Sequence, residues 1–193
     1  MTDLPTFVHA DADFVTDRLA VGGGLSGQPR QARGQIAELV RLGITHVADL
    51  RLEWSDAELV SRHAPGISYL HHPVEDAGQT IPGEYFQDLT EWTNTAFADP
   101  RAKLLVHCHA GVNRGPSGAF AALLAQGWEV PAALDAIRTA RPIAWIDYAD
   151  DVIEWHFARA DASARAAAHD AVTEWRWRNH LSLNTVIRQT RPD

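Results

Sequence analysis

Residues 102–109, "AKLLVHCH", form a short and nearly unbroken apolar run. A run of this length, closed by a glycine-bearing turn, reads as a strand buried on both faces. The segment that follows, "GPSGAFAALLAQG" (115–127), is built of small and apolar residues and reads as a helix. The same alternation repeats along the chain. Strand-like stretches at 17–23 ("DRLAVGG"), 44–51 ("ITHVADLR") and 67–74 ("ISYLHHPV") are separated by helical patterns at 28–43, 55–64 and 82–98. The first helical pattern stops at Gly43, and the second opens with Ser55 and Asp56, residue types that favour those helix ends. Two more helical patterns lie at 130–141 and 147–160. Strands alternating with helices predict an α/β fold, with a central, mostly parallel sheet flanked by helices. In such sheets ligands bind beyond the carboxyl ends of the strands, and Cys108 stands at one such end.

From Asp161 the composition turns to Ala and Arg, "ASARAAAHDAVTEWRWRNHL", with Trp175 and Trp177 near its end. This predicts a helical C-terminal extension of the same domain over 161–193, ragged from about residue 182. Its Arg residues read as a solvated helix face, as do Asp150 and Asp151. The seven Trp residues are expected mostly in the core or in helix packing.

At 193 residues and 46% hydrophobic content, the chain suits one domain with a sizeable core. The net charge of −8 argues against broad nucleic-acid binding, which needs a surplus of Lys and Arg. No stretch approaches the roughly 20 apolar residues that cross a bilayer. The acidic start "MTDLPTFVHADADF" lacks the basic-then-apolar plan of a signal peptide. The single Cys forms no internal disulfide, which fits a reducing compartment. The expectation is a cytoplasmic protein without nucleic-acid or membrane partners; the oligomeric state stays open.

The loop "HCHAGVNRG" leaves a buried strand and enters a helix through a turn containing Gly111 and Gly115. Successive amide N–H groups at a helix N-terminus make an anion cradle. A Cys108 thiolate at its opening would be stabilised by those amides and by the positive helix end. Arg114 closes the loop, and its planar guanidinium can hold two oxygens of a phosphate at once. A nucleophile in a phosphate-shaped nest is equipped to attack phosphorus.

Cys108 and Arg114 have five residues between them, His107 precedes the Cys, and Gly111 is third after it. This resembles the HCxxGxxR signature of the protein tyrosine phosphatase superfamily. Rhodanese-like sulfurtransferase loops usually place four residues between Cys and Arg and fit less well. "ISYLHHPVEDAGQTIPGEYFQDL" is similar to the stretch of dual-specificity phosphatases that carries their general-acid Asp, and "AIRTARPIAWIDYADDVIEW" to their closing helices. The similarity spans roughly residues 14–158.

The resemblance implies a phosphatase-like catalytic domain over 1–160 and a two-step hydrolysis of phosphate monoesters, including phosphotyrosine and phosphoserine or phosphothreonine in proteins. Cys108 is the implied nucleophile, Arg114 the phosphate clamp and Asp76, 32 residues before Cys108, the general acid, with Glu75 as fallback. The backbone of His109, Ala110, Gly111, Val112, Asn113 and Arg114 would cradle the phosphate, and His107 would orient the loop. No metal or cofactor is implied. Substrates would be phosphorylated proteins or small phosphate esters. The adjacent His71 and His72 point to opposite faces of a strand, which disfavours a shared metal. Trp54, after "ADLRLE", is a candidate for substrate contact at the site mouth.

One position departs from the family. Most members have Ser or Thr after the Arg, and its hydroxyl helps the Cys sulfur leave in the second step; here it is Gly115, then Pro116. The expectation is a slow second step that accumulates cysteinyl-phosphate. Ser117 could substitute, though a packing role suits it better. The alternative reading, which Gly115 keeps open, is a phosphate-binding pseudophosphatase with little turnover.

Overall fold

The computed structural model describes residues 4–182 together with Asn184 and Val186. The raggedness expected from about residue 182 therefore lies almost wholly outside the described residues. The sheet contains β1 (Ala12–Phe14), β2 (Leu19–Gly22), β3 (His46–Arg51), β4 (Ser68–Val74) and β5 (Leu104–His107), in the order β1-β2-β5-β3-β4. β2, β5, β3 and β4 run parallel, and β1 lies antiparallel on the β2 edge. The sheet is thus mostly parallel, as its sequence pattern predicts. β1 is the element the pattern does not reveal: three residues are too short to show an alternation.

The helices are α1 (Pro29–Arg41), α2 (Ala57–His63), α3 (Gly83–Phe97), α4 (Arg114–Ala125), α5 (Val130–Ala140), α6 (Ala149–His156) and α7 (Ala162–Arg178). α1 and α2 cover one face of the sheet; α3 to α7 cluster on the other, around α4. Successive residues of β5 divide between the two cores. Leu104 and Val106 pack with Phe120 and Leu124, while Leu105 packs with Ala20, Leu39 and Val47. That division is why the run reads as continuously apolar. Every residue of α4 from Arg114 to Leu124 is buried, which accounts for its small and apolar composition.

α7 joins the larger core through Ala168, Val172 and Trp175. Its N-cap Asp161 accepts a hydrogen bond from the Ala164 N–H at 2.8 Å. Trp175 Nε1 donates to Asp135 Oδ1 at 2.8 Å, and the Arg138 guanidinium lies over its ring. Three expectations about this region need correction. Asp150 is not simply solvated, because it pairs with His169 and Arg176 of α7. Asp151 accepts from the Ile81 N–H at 3.0 Å. The Trp residues are not mostly buried: Trp54, Trp128, Trp145 and Trp177 are exposed, Trp177 by 82%. Among the described residues no helix is long and apolar enough to cross a membrane.

Candidate active site

The register sets Gly22, His107 and Asp49 side by side at the ends of β2, β5 and β3. The segments leaving these strands, with the one leaving β4, therefore converge at one rim of the sheet. They contribute Gly23 to Gln28, the Cys108 loop, Arg51 to Ser55, and Glu75 to Gly78.

The backbone of the Cys108 loop is held from outside. The carbonyl of His109 accepts from the Gly24 N–H at 3.0 Å, and that of Val112 from the Trp145 N–H at 2.6 Å. Arg141 donates from Nη2 to Ala110 O at 2.8 Å and from Nε to Gly111 O at 2.7 Å. Asn113 O accepts from the Ser117 N–H at 2.8 Å. In a trans peptide the C=O and the following N–H point in opposite directions. With these carbonyls turned outward, the N–H groups of Ala110 to Arg114 turn the other way. Those of His109 to Asn113 donate to no other group among the described residues. Gly111 has φ of +62°, and a Cβ there would stand 2.5 Å from Gly22 C and 2.6 Å from Arg141 Nε. Only glycine satisfies both the left-handed backbone and the close approach.

Arg141 is itself clamped. Its Nη2 and Nη1 pair with Asp11 at 2.9 Å and Asp13 at 2.8 Å, both in or beside β1. Its buried guanidinium thus joins carboxylates on one side to loop carbonyls on the other through four hydrogen bonds.

Cys108 is buried at 2% exposure, in front of His107, whose Nδ1 lies 3.3 Å from Cys108 O. Complete burial pushes the His107 imidazole below its usual range, opposed by Asp49, whose carboxylate lies 3.9 Å from Nε2. His107 is therefore held toward its neutral form, with its ring against the Cys108 backbone.

Arg114 is gripped by a residue not singled out from the sequence. Its Nη1 and Nη2 donate to Glu53 Oε2 at 2.8 Å and Oε1 at 2.7 Å, and Nη1 also donates to Val74 O. The hydrogen bonds from Arg114 hold Glu53 down to a pKa of about 2. Arg114 Nε is buried without a hydrogen bond and lies 3.4 Å from Asp76 Oδ2. Asp76 thus comes to the loop as the sequence predicts. Its Oδ1 accepts from Asn113 Nδ2 at 2.8 Å and lies 3.1 Å from the Tyr148 hydroxyl. Asn113 Oδ1 in turn accepts from the Asp147 N–H at 2.7 Å. Asn113 therefore bridges the Cys loop, the Asp76 segment and the approach to α6.

Glu75 takes part through its carbonyl, which accepts from Gln79 Nε2 at 2.6 Å. Ser117 is 1% exposed, with its hydroxyl 3.5 Å from Asn113 Oδ1, a packing position. His71 and His72 separate as expected: His71 Nε2 lies 2.8 Å from Arg51 O, and His72 Nε2 lies 2.9 Å from Tyr85 O on α3. Trp54 is 57% exposed, with its ring centroid 6.3 Å from that of His109. The carboxylates of Asp49 and Asp56, with His107, come close enough together to resemble a metal cluster. The cation between the two carboxylates is Arg51, at 2.8 and 2.6 Å.

Residues 28–156 match the family model for the dual specificity phosphatase catalytic domain. The chain belongs to the dual-specificity phosphatase family. Among curated dual-specificity phosphatases, it is 32% identical over 87 residues to dual specificity protein phosphatase 26 of Rattus norvegicus and of Homo sapiens. That stretch is 45% of this chain and 41% of each relative, so the alignment spans less than half of the proteins it matches. A solved mouse putative dual specificity phosphatase, complexed with zinc tungstate, superposes at a TM-score of 0.65 and 22% identity, covering 86% of this chain and 98% of that one. Human DUSP28 superposes at 0.61 and 21%, covering 82% and 100%. These structures share the fold of this chain.

Glu53, Arg141 and Tyr148 are the site residues that sequence reasoning missed. Glu53 carried a usable signal, since it follows the carboxyl end of a predicted strand. Arg141 and Tyr148 lie far along the chain, and only the packing of α5 and α6 brings them to the loop.

Proposed function

We propose that this chain is a cysteine-dependent phosphatase that hydrolyses phosphate monoesters, in phosphorylated proteins or small phosphate esters, through a cysteinyl-phosphate intermediate. The catalytic domain spans 1–160, with 161–193 its helical extension. The observation that carries the reading is the meeting of Cys108, Arg114 and Asp76 around a loop whose carbonyls are tied outward.

In the first step the Cys108 sulfur forms a bond to phosphorus as the bond to the leaving oxygen breaks. Asp76 gives its proton to that oxygen. Arg114 exchanges Glu53 for two phosphoryl oxygens, and the loop N–H groups of His109 to Asn113 donate to the three equatorial oxygens from below. These donors are already in place, so charge developing in the transition state meets oriented dipoles. In the second step water attacks phosphorus, the S–P bond breaks, and Asp76 accepts the water proton. Asn113 and Tyr148 hold Asp76 in position, and neutral His107 supports the Cys108 backbone. Gly115 leaves the departing sulfur without the usual hydroxyl, which slows the second step.

Hydrolysis of para-nitrophenyl phosphate tests this. The wild-type chain should release phosphate, and Cys108→Ser should not. Equal activity in both would remove the enzyme reading at this site.

A further inference from the structure

A cleft of about 130 Å³ opens beside the Cys108 loop, walled by Gly24, Ser26, Gln28, Arg51, Trp54 and His109. It shares His109 with the phosphate loop, so whatever fills it sits next to a phosphate bound at Cys108. At roughly 30 Å³ per water, it has room for several waters or a few hydroxylated carbons.

Arg51 is the polar group built into its wall. The side chain is 1% exposed, and its Nε and Nη2 pair with Asp49 and Asp56. Nη1 lies outside these pairs, on the edge facing Gly24. A Cβ on Gly24 would stand only 2.3 Å from Nη1. The missing side chain lets the Gly24 backbone lie against that edge of the guanidinium where both line the cleft, and the two carboxylates keep the guanidinium from turning away. Trp54 supplies an exposed aromatic face near His109.

Charge decides what such a cleft accepts. Arg51 carries one positive charge, and Asp49 and Asp56 carry two negative ones, so the buried trio is net negative. A second phosphate or an acidic side chain meets repulsion there. A neutral acceptor oxygen meets a fixed N–H donor, and the carbon face of a sugar-like ring suits the Trp54 ring. The acceptor must also lie close to phosphorus. In a sugar phosphate, hydroxyls begin within a few bonds of the ester oxygen. In phosphotyrosine the next acceptor is a ring's length away.

We propose that this cleft is a leaving-group subsite for hydroxyl-rich alcohols, with Arg51 Nη1 donating to a hydroxyl and Trp54 stacking on the carbon skeleton. The site then prefers phosphate esters of small polyols or sugars over phosphotyrosyl peptides. The proposal rests on the phosphate-binding reading of the Cys108 loop and deepens it.

Calorimetric binding to the Cys108→Ser chain tests it without turnover, with glucose 6-phosphate, inorganic phosphate and a phosphotyrosyl peptide as probes. Glucose 6-phosphate should bind at least ten-fold more tightly than inorganic phosphate. That advantage should vanish when Trp54→Ala or Gly24→Ala is added, each first checked for an intact melting transition. Trp54 is exposed, so its variant keeps the test alive even if Gly24→Ala fails to fold. The proposal is overturned if glucose 6-phosphate shows no advantage, if the peptide shows the larger one, or if the advantage survives Trp54→Ala. Hydrolysis of para-nitrophenyl phosphate by the wild-type chain reports separately on the phosphatase reading. Its absence would remove that reading and leave a measured binding preference standing.

Discussion

Glu53 holds Arg114 through both terminal guanidinium nitrogens, at 2.7 and 2.8 Å. In the proposed mechanism these donors hold the phosphoryl group, so Glu53 and an oxyanion would compete for them. Glu53→Gln should bind vanadate more tightly, by about 3- to 10-fold, because a neutral amide neither repels the anion nor matches the carboxylate's grip. Glu53 stays ionised down to about pH 2, so lowering the pH to about 5 should not relieve the competition in the wild-type chain. Vanadate inhibition constants for both proteins at about pH 7 and about pH 5 would check both statements; weaker binding by the variant would contradict the first.

Asp76 is held between Asn113 Nδ2 and the Tyr148 hydroxyl. Asp76→Asn should lower kcat for an alkyl phosphate by about 10²-fold or more, and by less for para-nitrophenyl phosphate, whose leaving group needs little proton donation. Asn113→Ala releases Asp76 and the approach to α6 together, and should cost between about 10- and 100-fold in kcat. If the two substrates respond identically to Asp76→Asn, general acid catalysis by this residue is excluded.

In the proposed mechanism Gly115 stands where a hydroxyl would assist the departing sulfur. Stopped-flow release of para-nitrophenol should show a burst in the wild-type chain. In Gly115→Ser the burst should shrink and steady-state kcat rise by roughly 10-fold or more, the order of one added donor to a developing anion. The new Cβ would lie 3.2 Å from Cys108 N and 3.3 Å from the His107 backbone, so the strand end must shift slightly to admit it, and a melting curve of the variant checks that it does. A linear time course in the wild-type chain speaks against a slow second step.

Gly111 takes a left-handed backbone against Gly22 and Arg141. Gly111→Ala should destabilise the fold by about 2–5 kcal/mol, combining backbone strain with overpacking. Thermal unfolding measures the loss, and vanadate should no longer stabilise the variant. A melting point equal to wild type would mean the loop can relax freely.

His169 lies between Asp150 at 2.8 Å and Glu154 at 2.7 Å, with Arg176 also on Asp150. Burial works against its charge, but the two carboxylates outweigh that and raise its pKa above the usual value. A raised folded-state pKa gives stability that is complete below the unfolded value, about 6.5, and fades as pH rises through the folded one. The melting-point gap between wild type and His169→Gln should therefore be wider at about pH 5.5 than at about pH 8.5. At these partly exposed positions the effect is small, up to about 1 kcal/mol. A gap independent of pH would mean that the ion pair adds nothing.

Much of the architecture was legible because parallel strands buried on both faces leave apolar runs, and Leu104 to Val106 serve both cores. The nest was legible because Cys108, Gly111 and Arg114 lie within one short segment, where spacing is geometry. Asp76 was readable from its place between a strand and a helix. Arg141 and Tyr148 were not, since their roles depend on how distant helices pack. Asp11 and Asp13 read only as acidic composition, although they neutralise a guanidinium 128 or more residues away. The loop position of Trp54 was readable because it follows a strand end, while the openness of Trp128 and Trp177 has no counterpart in local pattern.

The clasp between Arg141 and the pair Asp11–Asp13 also bears on how this chain can be shortened. The family match begins at residue 28, past both acids and past the two strands that precede α1. A fragment trimmed to that boundary would keep Cys108, Arg114 and Asp76 yet strand a buried cation beneath the nest. The smallest working unit must reach back at least to Asp11, and a purification tag belongs ahead of it.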